Sequence, residues 1–272
     1  MNTRRILIIV LAIAGLASTT AAVSYRARYQ GSRVRMDNEV KSDRVVAQYL
    51  SLEPVKLPSL ISPYWITRAT ERFEEAPIRI VYYGDPLCSD CRVLFEQLQL
   101  LEKEFAGQLN IAYQFFPLEA RCNDVVEKDI HPGACDLSYM MASRPQSFRA
   151  LHDEILSHLD SAKTAPWRTR FAEKHDLAGA LADTALQARV HALIRTGAEY
   201  APTSPKYTNG IRSTPTLIVN ERMIIGTLPL PQLRAIFQAL VYASQAEQGN
   251  FIESWINPGC SIASEATQCG TE

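Results

Sequence analysis

The stretch from Ile78 to Phe105 constrains this chain more than any other. An apolar run (Ile78, Ile80, Val81, Tyr82, Tyr83) leads through Gly84-Asp85-Pro86-Leu87 into Cys88-Ser89-Asp90-Cys91. The run is rich in Ile, Val and Tyr and reads as a strand, and Leu94, Leu98, Leu101 and Phe105 then repeat at helical spacing. Cys88 therefore stands at a helix N-terminus. Unpaired backbone N–H groups and the positive end of the helix dipole favour a thiolate there, and the thiolate is the nucleophile of disulfide exchange. Cys91, one turn on, can close on it, so the two can cycle between dithiol and disulfide. A CxxC is also half of a zinc site, yet the chain has no second CxxC and no HxxxH. The context favours redox chemistry over zinc binding or an inert buried pair.

The remaining cysteines point to an oxidising compartment. There are six in all, Cys88, Cys91, Cys122, Cys135, Cys260 and Cys269, falling into three close sequence pairs. With 272 residues, 47% of them hydrophobic, the chain can bury one good core or one core with an inserted subdomain. Its 28 Lys and Arg nearly balance 29 Asp and Glu, and nothing in this charge points to nucleic acid. Arg4 and Arg5 precede an uncharged run from Ile6 to Val23. The strongly apolar part, Ile6 to Leu16, has signal-peptide length, with Thr20-Ala21-Ala22 as a possible cleavage site. The whole run approaches the roughly 17–25 residues that span a bilayer, and an uncleaved anchor is the favoured reading.

Taken in order, residues 1–24 read as a signal peptide or transmembrane anchor and 25–59 as a basic tether and short helix (Val40, Val45, Val46, Tyr49, Leu50). Residues 60–247 form the α/β domain, and 248–272 a cysteine-containing tail. Tyr64 to Thr67 suits a short edge strand. Asn110 to Phe116 is the next strand after the CxxC helix, and strand, helix and strand in this order make a βαβ crossover, hence two parallel neighbours. From about 118 to 201 the chain turns helical and reads as an inserted subdomain. The sheet resumes at Thr216-Leu217-Ile218-Val219, turns at Asn220-Glu221 and returns along Met223-Ile224-Ile225, before a last amphipathic helix from about Leu230 to Ala243.

This ordered set, with Gly84-Asp85-Pro86-Leu87-Cys88-Ser89-Asp90-Cys91 and Ser213-Thr214-Pro215-Thr216-Leu217-Ile218-Val219-Asn220, resembles the DsbA-like thiol:disulfide oxidoreductases of the thioredoxin superfamily over about residues 60–243. The resemblance implies an α/β thioredoxin-like fold with an inserted helical subdomain. It also implies that Pro215 is cis beside the dithiol and that Thr214 offers its backbone to an extended substrate. Phe116-Pro117-Leu118-Glu119 through Cys122-Asn123 to His131-Pro132-Gly133-Ala134-Cys135 is similar to the thioredoxin-like domains associated with vitamin K epoxide reductase homologues. This chain has no four-helix membrane domain, so any quinone chemistry would fall to a membrane partner. For Cys122 and Cys135 a structural disulfide leads, with an accessory redox pair and metal ligation through His131 as the other readings. For Cys260 and Cys269 the structural disulfide is favoured more strongly.

The functional expectation is an exported thiol:disulfide oxidoreductase of the bacterial periplasm, anchored in the inner membrane by residues 6–23 or released after cleavage. Cys88 attacks, Cys91 resolves, and Thr214 with Pro215 shapes the peptide site. Such a protein needs no bound cofactor and no metal. It needs cysteine-containing envelope proteins as substrates and a membrane redox partner. A copper- or zinc-binding envelope protein and a non-catalytic assembly factor are the alternatives. Many thioredoxin-like proteins carry a buried acid six residues before the first cysteine, where this chain has Tyr82. Asp85 and Asp90 are the candidates to replace it. As like charges near Cys88 they are expected to oppose its thiolate and move the potential to the reducing or isomerising side.

Overall fold

The computed structural model describes residues 42–200 and 210–248. The apolar run 6–23, the basic tether, Cys260 and Cys269 lie outside the described residues. Residues 42–50 are helical, where Val45, Val46 and Tyr49 predicted a helix, and fall outside the compact unit that begins at Ser51. No helix among the described residues is long and apolar enough to cross a membrane.

Within that unit β1 (Trp65–Arg68), β2 (Ile78–Gly84), β3 (Leu109–Phe115), β4 (Thr216–Val219) and β5 (Arg222–Ile225) form one sheet in the order β1-β3-β2-β4-β5. β2 is central because its near-continuous apolar sequence tolerates burial on both faces: every residue but Arg79 is buried. It runs parallel to β3 and antiparallel to β4, while β1 and β5 close the edges antiparallel to their neighbours. The parallel β2–β3 pair is joined by α1 (Ser89–Glu104), whose predicted stripe of Leu94, Leu98, Leu101 and Phe105 is buried, with Phe95 joining it. Each such side chain, taken fully out of water, stabilises the fold by about 1.5–3 kcal/mol.

The β4–β5 turn sits at Asn220 and Glu221, both at positive φ (38° and 66°), as a two-residue hairpin with right-handed strand twist demands. Asn220 also locks the sheet, since its Oδ1 accepts the Arg79 N–H at 2.8 Å and its Nδ2 donates to the Pro77 carbonyl at 2.9 Å. Before β1, the Val55 N–H donates to the Glu221 carbonyl at 2.6 Å, so residues near Val55 lie along the hairpin.

Between β3 and β4 come α2 (Ala134–Ala142), α3 (Phe148–Ser157), α4 (Ala165–Lys174) and α5 (Thr184–Arg195). Polar ties fasten this helical insertion to the sheet domain. Arg149 of α3 grips Glu102 of α1 through two hydrogen bonds of 2.7 and 2.6 Å, and Glu102 accepts a third from Thr67 of β1. Buried Gln114 of β3 donates to Thr196 Oγ1 at 2.9 Å and to the Leu60 carbonyl at 2.8 Å. The last helix, α6 (Leu230–Gln248), reaches the end of α1 through the Phe105–Phe237 ring contact at 5.7 Å.

Candidate active site

The C-terminal end of β2 delivers the dithiol. At Gly84, the last residue of the strand, a Cβ would lie 2.5 Å from the Tyr113 ring of β3, so glycine leaves room for that ring. Asp85 then folds the chain into a tight loop. Its Oδ1 accepts the Leu87 N–H at 2.6 Å and its backbone carbonyl accepts the Cys88 N–H at 3.2 Å. Cys88 emerges as the N-cap of α1, with extended backbone (φ −80°, ψ 126°) and its Sγ accepting the Cys91 N–H at 3.4 Å. The helix end thus points an otherwise unpaired donor at the sulfur, which is the geometry a thiolate needs.

Burial separates the two cysteines chemically. Cys88 is 6% exposed at the mouth of the site, whereas Cys91 is wholly enclosed. Hydrogen bonding from Cys91 lowers the Cys88 pKa to about 6, against the opposing effect of burial, and Thr214 adds to the lowering. Burial pushes the Cys91 thiol well up, and the neighbouring Cys88 pushes it further. The pair therefore holds an ionised outer sulfur and a protonated inner one at neutral pH.

Thr214 and Pro215 stand against the outer sulfur. The Thr214–Pro215 peptide bond is cis, and the Cys88 thiol donates to the Thr214 carbonyl at 3.5 Å. The Thr214 hydroxyl is buried and unpaired while Cys88 carries its proton; it supports the thiolate, to which it can donate. Beneath Cys91 lie Tyr82 and Tyr113, both fully buried. The Tyr82 hydroxyl donates to the Cys91 carbonyl at 3.4 Å, and burial followed by the charge of Cys91 keeps both phenols protonated.

The acid near the dithiol is Asp85. It is fully buried, its Oδ2 accepts the Leu118 N–H at 2.6 Å, and the same oxygen meets His131 Nδ1 at 2.9 Å. Burial alone would lower the His131 pKa, but the hydrogen bond and charge of Asp85, with a further contribution from Cys88, raise it. Asp90 plays the lesser part: it is exposed, where water screens its charge. The expectation that both aspartates oppose the thiolate holds for Asp85, which does raise the Cys88 pKa, yet the lowering contributions outweigh it.

Cys122 and Cys135 are joined in a disulfide that closes a loop of sequence separation 13. Just ahead of this loop, buried Glu119 caps α2, its Oε2 accepting the Gly133 and Cys135 N–H groups at 3.0 and 2.8 Å, and it pairs with Arg121 at 3.1 Å. His131, considered as a metal ligand with these cysteines, faces Asp85 instead. Among the described residues no cluster of three or more His, Cys, Asp or Glu side chains is arranged to hold a metal ion. The fold thus brings Cys88, Cys91, Thr214 and Pro215 together and sets the Cys122–Cys135 loop beside them. The Asp85–His131 contact was missed in the sequence. The one local signal for it is a charged residue placed between glycine and proline immediately ahead of a CxxC.

A family model described as thioredoxin matches residues 73–239, more than half of the chain. The chain belongs to the thioredoxin family. Among solved structures, a variant of alpha-DsbA1 from Wolbachia pipientis is 14% identical with a TM-score of 0.50, covering 72% of this thioredoxin-family chain and 96% of its own. A thioredoxin-like oxidoreductase from Silicibacter pomeroyi DSS-3 is 19% identical, with a TM-score of 0.44 and coverage of 64% and 89%. A periplasmic thioredoxin-like protein from Salmonella enterica serovar Typhimurium is 17% identical, with a TM-score of 0.45 and coverage of 62% and 87%. No curated protein matches the sequence significantly.

Proposed function

We propose that this thioredoxin-family chain is an exported thiol:disulfide oxidoreductase acting on cysteines of envelope proteins through Cys88 and Cys91. The observation that carries the reading is the split between the two sulfurs: Cys88 ionised near pH 6 at a helix N-cap, Cys91 enclosed and protonated one turn below. That is the division of labour that disulfide exchange requires.

In the reducing direction the Cys88 thiolate attacks one sulfur of a substrate disulfide. The substrate S–S bond breaks, the second substrate sulfur leaves as a thiolate, and a mixed disulfide forms. Cys91 then gives up its proton and attacks the Cys88 sulfur, releasing the first substrate thiolate. Two electrons pass to the substrate, and the Cys88–Cys91 disulfide forms. The oxidising direction is the reverse, with the substrate thiolate attacking Cys88. Thr214 and Pro215 line the approach to Cys88, and an extended peptide there meets the Thr214 backbone.

A Cys88 pKa of about 6 lies between the ~3.5 of a strong oxidase and the ~7 of thioredoxin. The potential should lie between theirs. The uncharged run 6–23 and the three cysteine pairs support residence in the periplasm, held by an inner-membrane anchor or freed by cleavage, with a membrane protein as redox partner. The purified protein should reduce insulin and equilibrate with glutathione, and Cys88→Ser should abolish both. Failure of the unaltered protein to exchange with glutathione would overturn the reading.

A further inference from the structure

A second tunable element stands beside the dithiol, and it belongs to the disulfide-closed loop. Leu118 and His131 bracket Asp85 together. The Leu118 N–H donates to Asp85 Oδ2, and the Leu118 carbonyl accepts the N–H groups of Ile130 and His131 at 2.9 and 3.0 Å. The His131 ring meets that same Asp85 oxygen at 2.9 Å. The loop cannot swing away freely: the Cys122–Cys135 bond, the Glu119 cap and an Asn123 Nδ2 hydrogen bond to the Pro117 carbonyl hold it. His131 is thus fixed beside the loop that presents Cys88, yet its side chain keeps 20% exposure and can exchange its proton with water.

We propose that His131, carried on the Cys122–Cys135 loop and held by Asp85, is a positioning residue that keeps a compensating positive charge beside the Cys88 sulfur and thereby sets the reactivity and potential of the dithiol. This rests on the thiol:disulfide reading of Cys88. The electrostatic argument is direct. Asp85 is buried on the loop that leads to Cys88, and its charge opposes a second negative charge on the sulfur. With His131 protonated, Asp85 and His131 together are neutral and the penalty is relieved. The coupling is reciprocal, as linkage requires: the Cys88 thiolate in turn helps raise His131. Three charged groups act on His131, namely Asp85 and Cys88, which favour its cation, and Lys163, which opposes it. Around Cys88 the neutral Tyr82 and Tyr113 lie below, and Thr214 and the α1 N-terminus face it. The cation and the thiolate therefore coexist in a window that opens as pH rises through about 6 and closes as His131 loses its proton at higher pH.

Two measurements on the full chain decide it. In the unaltered protein the His131 imidazole, followed by NMR, should titrate at higher pH in the dithiol form than in the Cys88–Cys91 disulfide form, because only the former carries the thiolate. Equal midpoints would overturn the inference. Second, His131→Gln should raise the Cys88 midpoint, read from thiolate absorbance, by about one unit. At pH 7 that makes the disulfide less oxidising by about fivefold in its glutathione equilibrium. His131→Lys, which restores a charge without the ring, should recover part of the shift. A His131→Gln protein that exchanges with glutathione at the unaltered midpoint and equilibrium defeats this inference alone. An unaltered protein that does not exchange defeats the oxidoreductase reading itself.

Discussion

The depressed Cys88 pKa is also a statement about stability, and it can be tested without any substrate. The thiol titrates at 9.0 when unperturbed and at about 6 in the fold, where the side chain is 6% exposed. A group whose folded pKa lies below its unfolded value stabilises the fold fully above the unfolded pKa, and that stability is lost as pH falls through the folded one. Linkage then gives about 0.1 kcal/mol at pH 5, about 1.4 at pH 7 and about 2.7 at pH 8. Solvent at the mouth of the site screens part of this, and halving the figures leaves a rise of about 1.3 kcal/mol between pH 5 and pH 8.

The perturbation is Cys88→Ser, which keeps an N-cap acceptor for the Cys91 N–H but removes the ionisation. Urea unfolding of the reduced wild type and of the reduced variant, at pH 5, 6, 7 and 8, should show wild type gaining on the variant by about 1–3 kcal/mol across the range. Groups common to both proteins cancel in the difference. Cys91 acts with the opposite sign: its raised pKa costs stability once the unfolded thiol ionises, which is why the series stops at pH 8. A flat difference, or one that shrinks as pH rises, refutes the argument that the helix end and Thr214 stabilise a thiolate.

Other consequences follow from neighbouring residues. Graded reduction with mass mapping should open Cys88–Cys91 first and leave Cys122–Cys135 intact, since the latter is buried and closes a loop of separation 13; replacing both loop cysteines with serine should cost about 3 kcal/mol in urea unfolding. Thr214→Val should raise the Cys88 midpoint in a thiolate absorbance titration, because it removes a buried hydroxyl that favours the ionised sulfur. His152 is wholly buried among Phe95, Tyr113 and Phe148 with neither ring nitrogen paired, and burial lowers its pKa to about 3. Its contribution is present above about pH 6.5 and is lost as pH falls toward 3, so His152→Leu should hold its thermal midpoint better than wild type between pH 6 and 4.

The parts legible in the sequence are those written by local rules. Leu94, Leu98 and Leu101 announced α1 because a 3.6-residue stripe can face only one way, and Asn220-Glu221 marked the hairpin because two consecutive positive-φ residues need such a turn. Cys88 at the helix start followed from the abutting strand and helix. What escaped was settled by contacts distant in the chain. Asp85 and His131 are 46 residues apart, and no periodicity connects them. Nothing in the local sequence marks His152, yet the fold closes Phe95 and Tyr113 over it. In the sequence Asp85 and Asp90 read alike, as like charges near Cys88. Burial, invisible in sequence spacing, gives Asp85 the larger effect.

Tyr82 and Tyr113 under the inner sulfur have a kinetic meaning. A phenol held protonated by burial can steady the Cys91 backbone but cannot take the Cys91 proton at neutral pH, so this floor supplies no base for the resolving step. In the proposed exchange, the first attack, by an already ionised sulfur, would be quick, and ring closure would wait for the Cys91 proton to leave. If the proposed exchange holds, the mixed disulfide should be long-lived as a result, and substrate proteins should be recoverable from cells still bonded to Cys88.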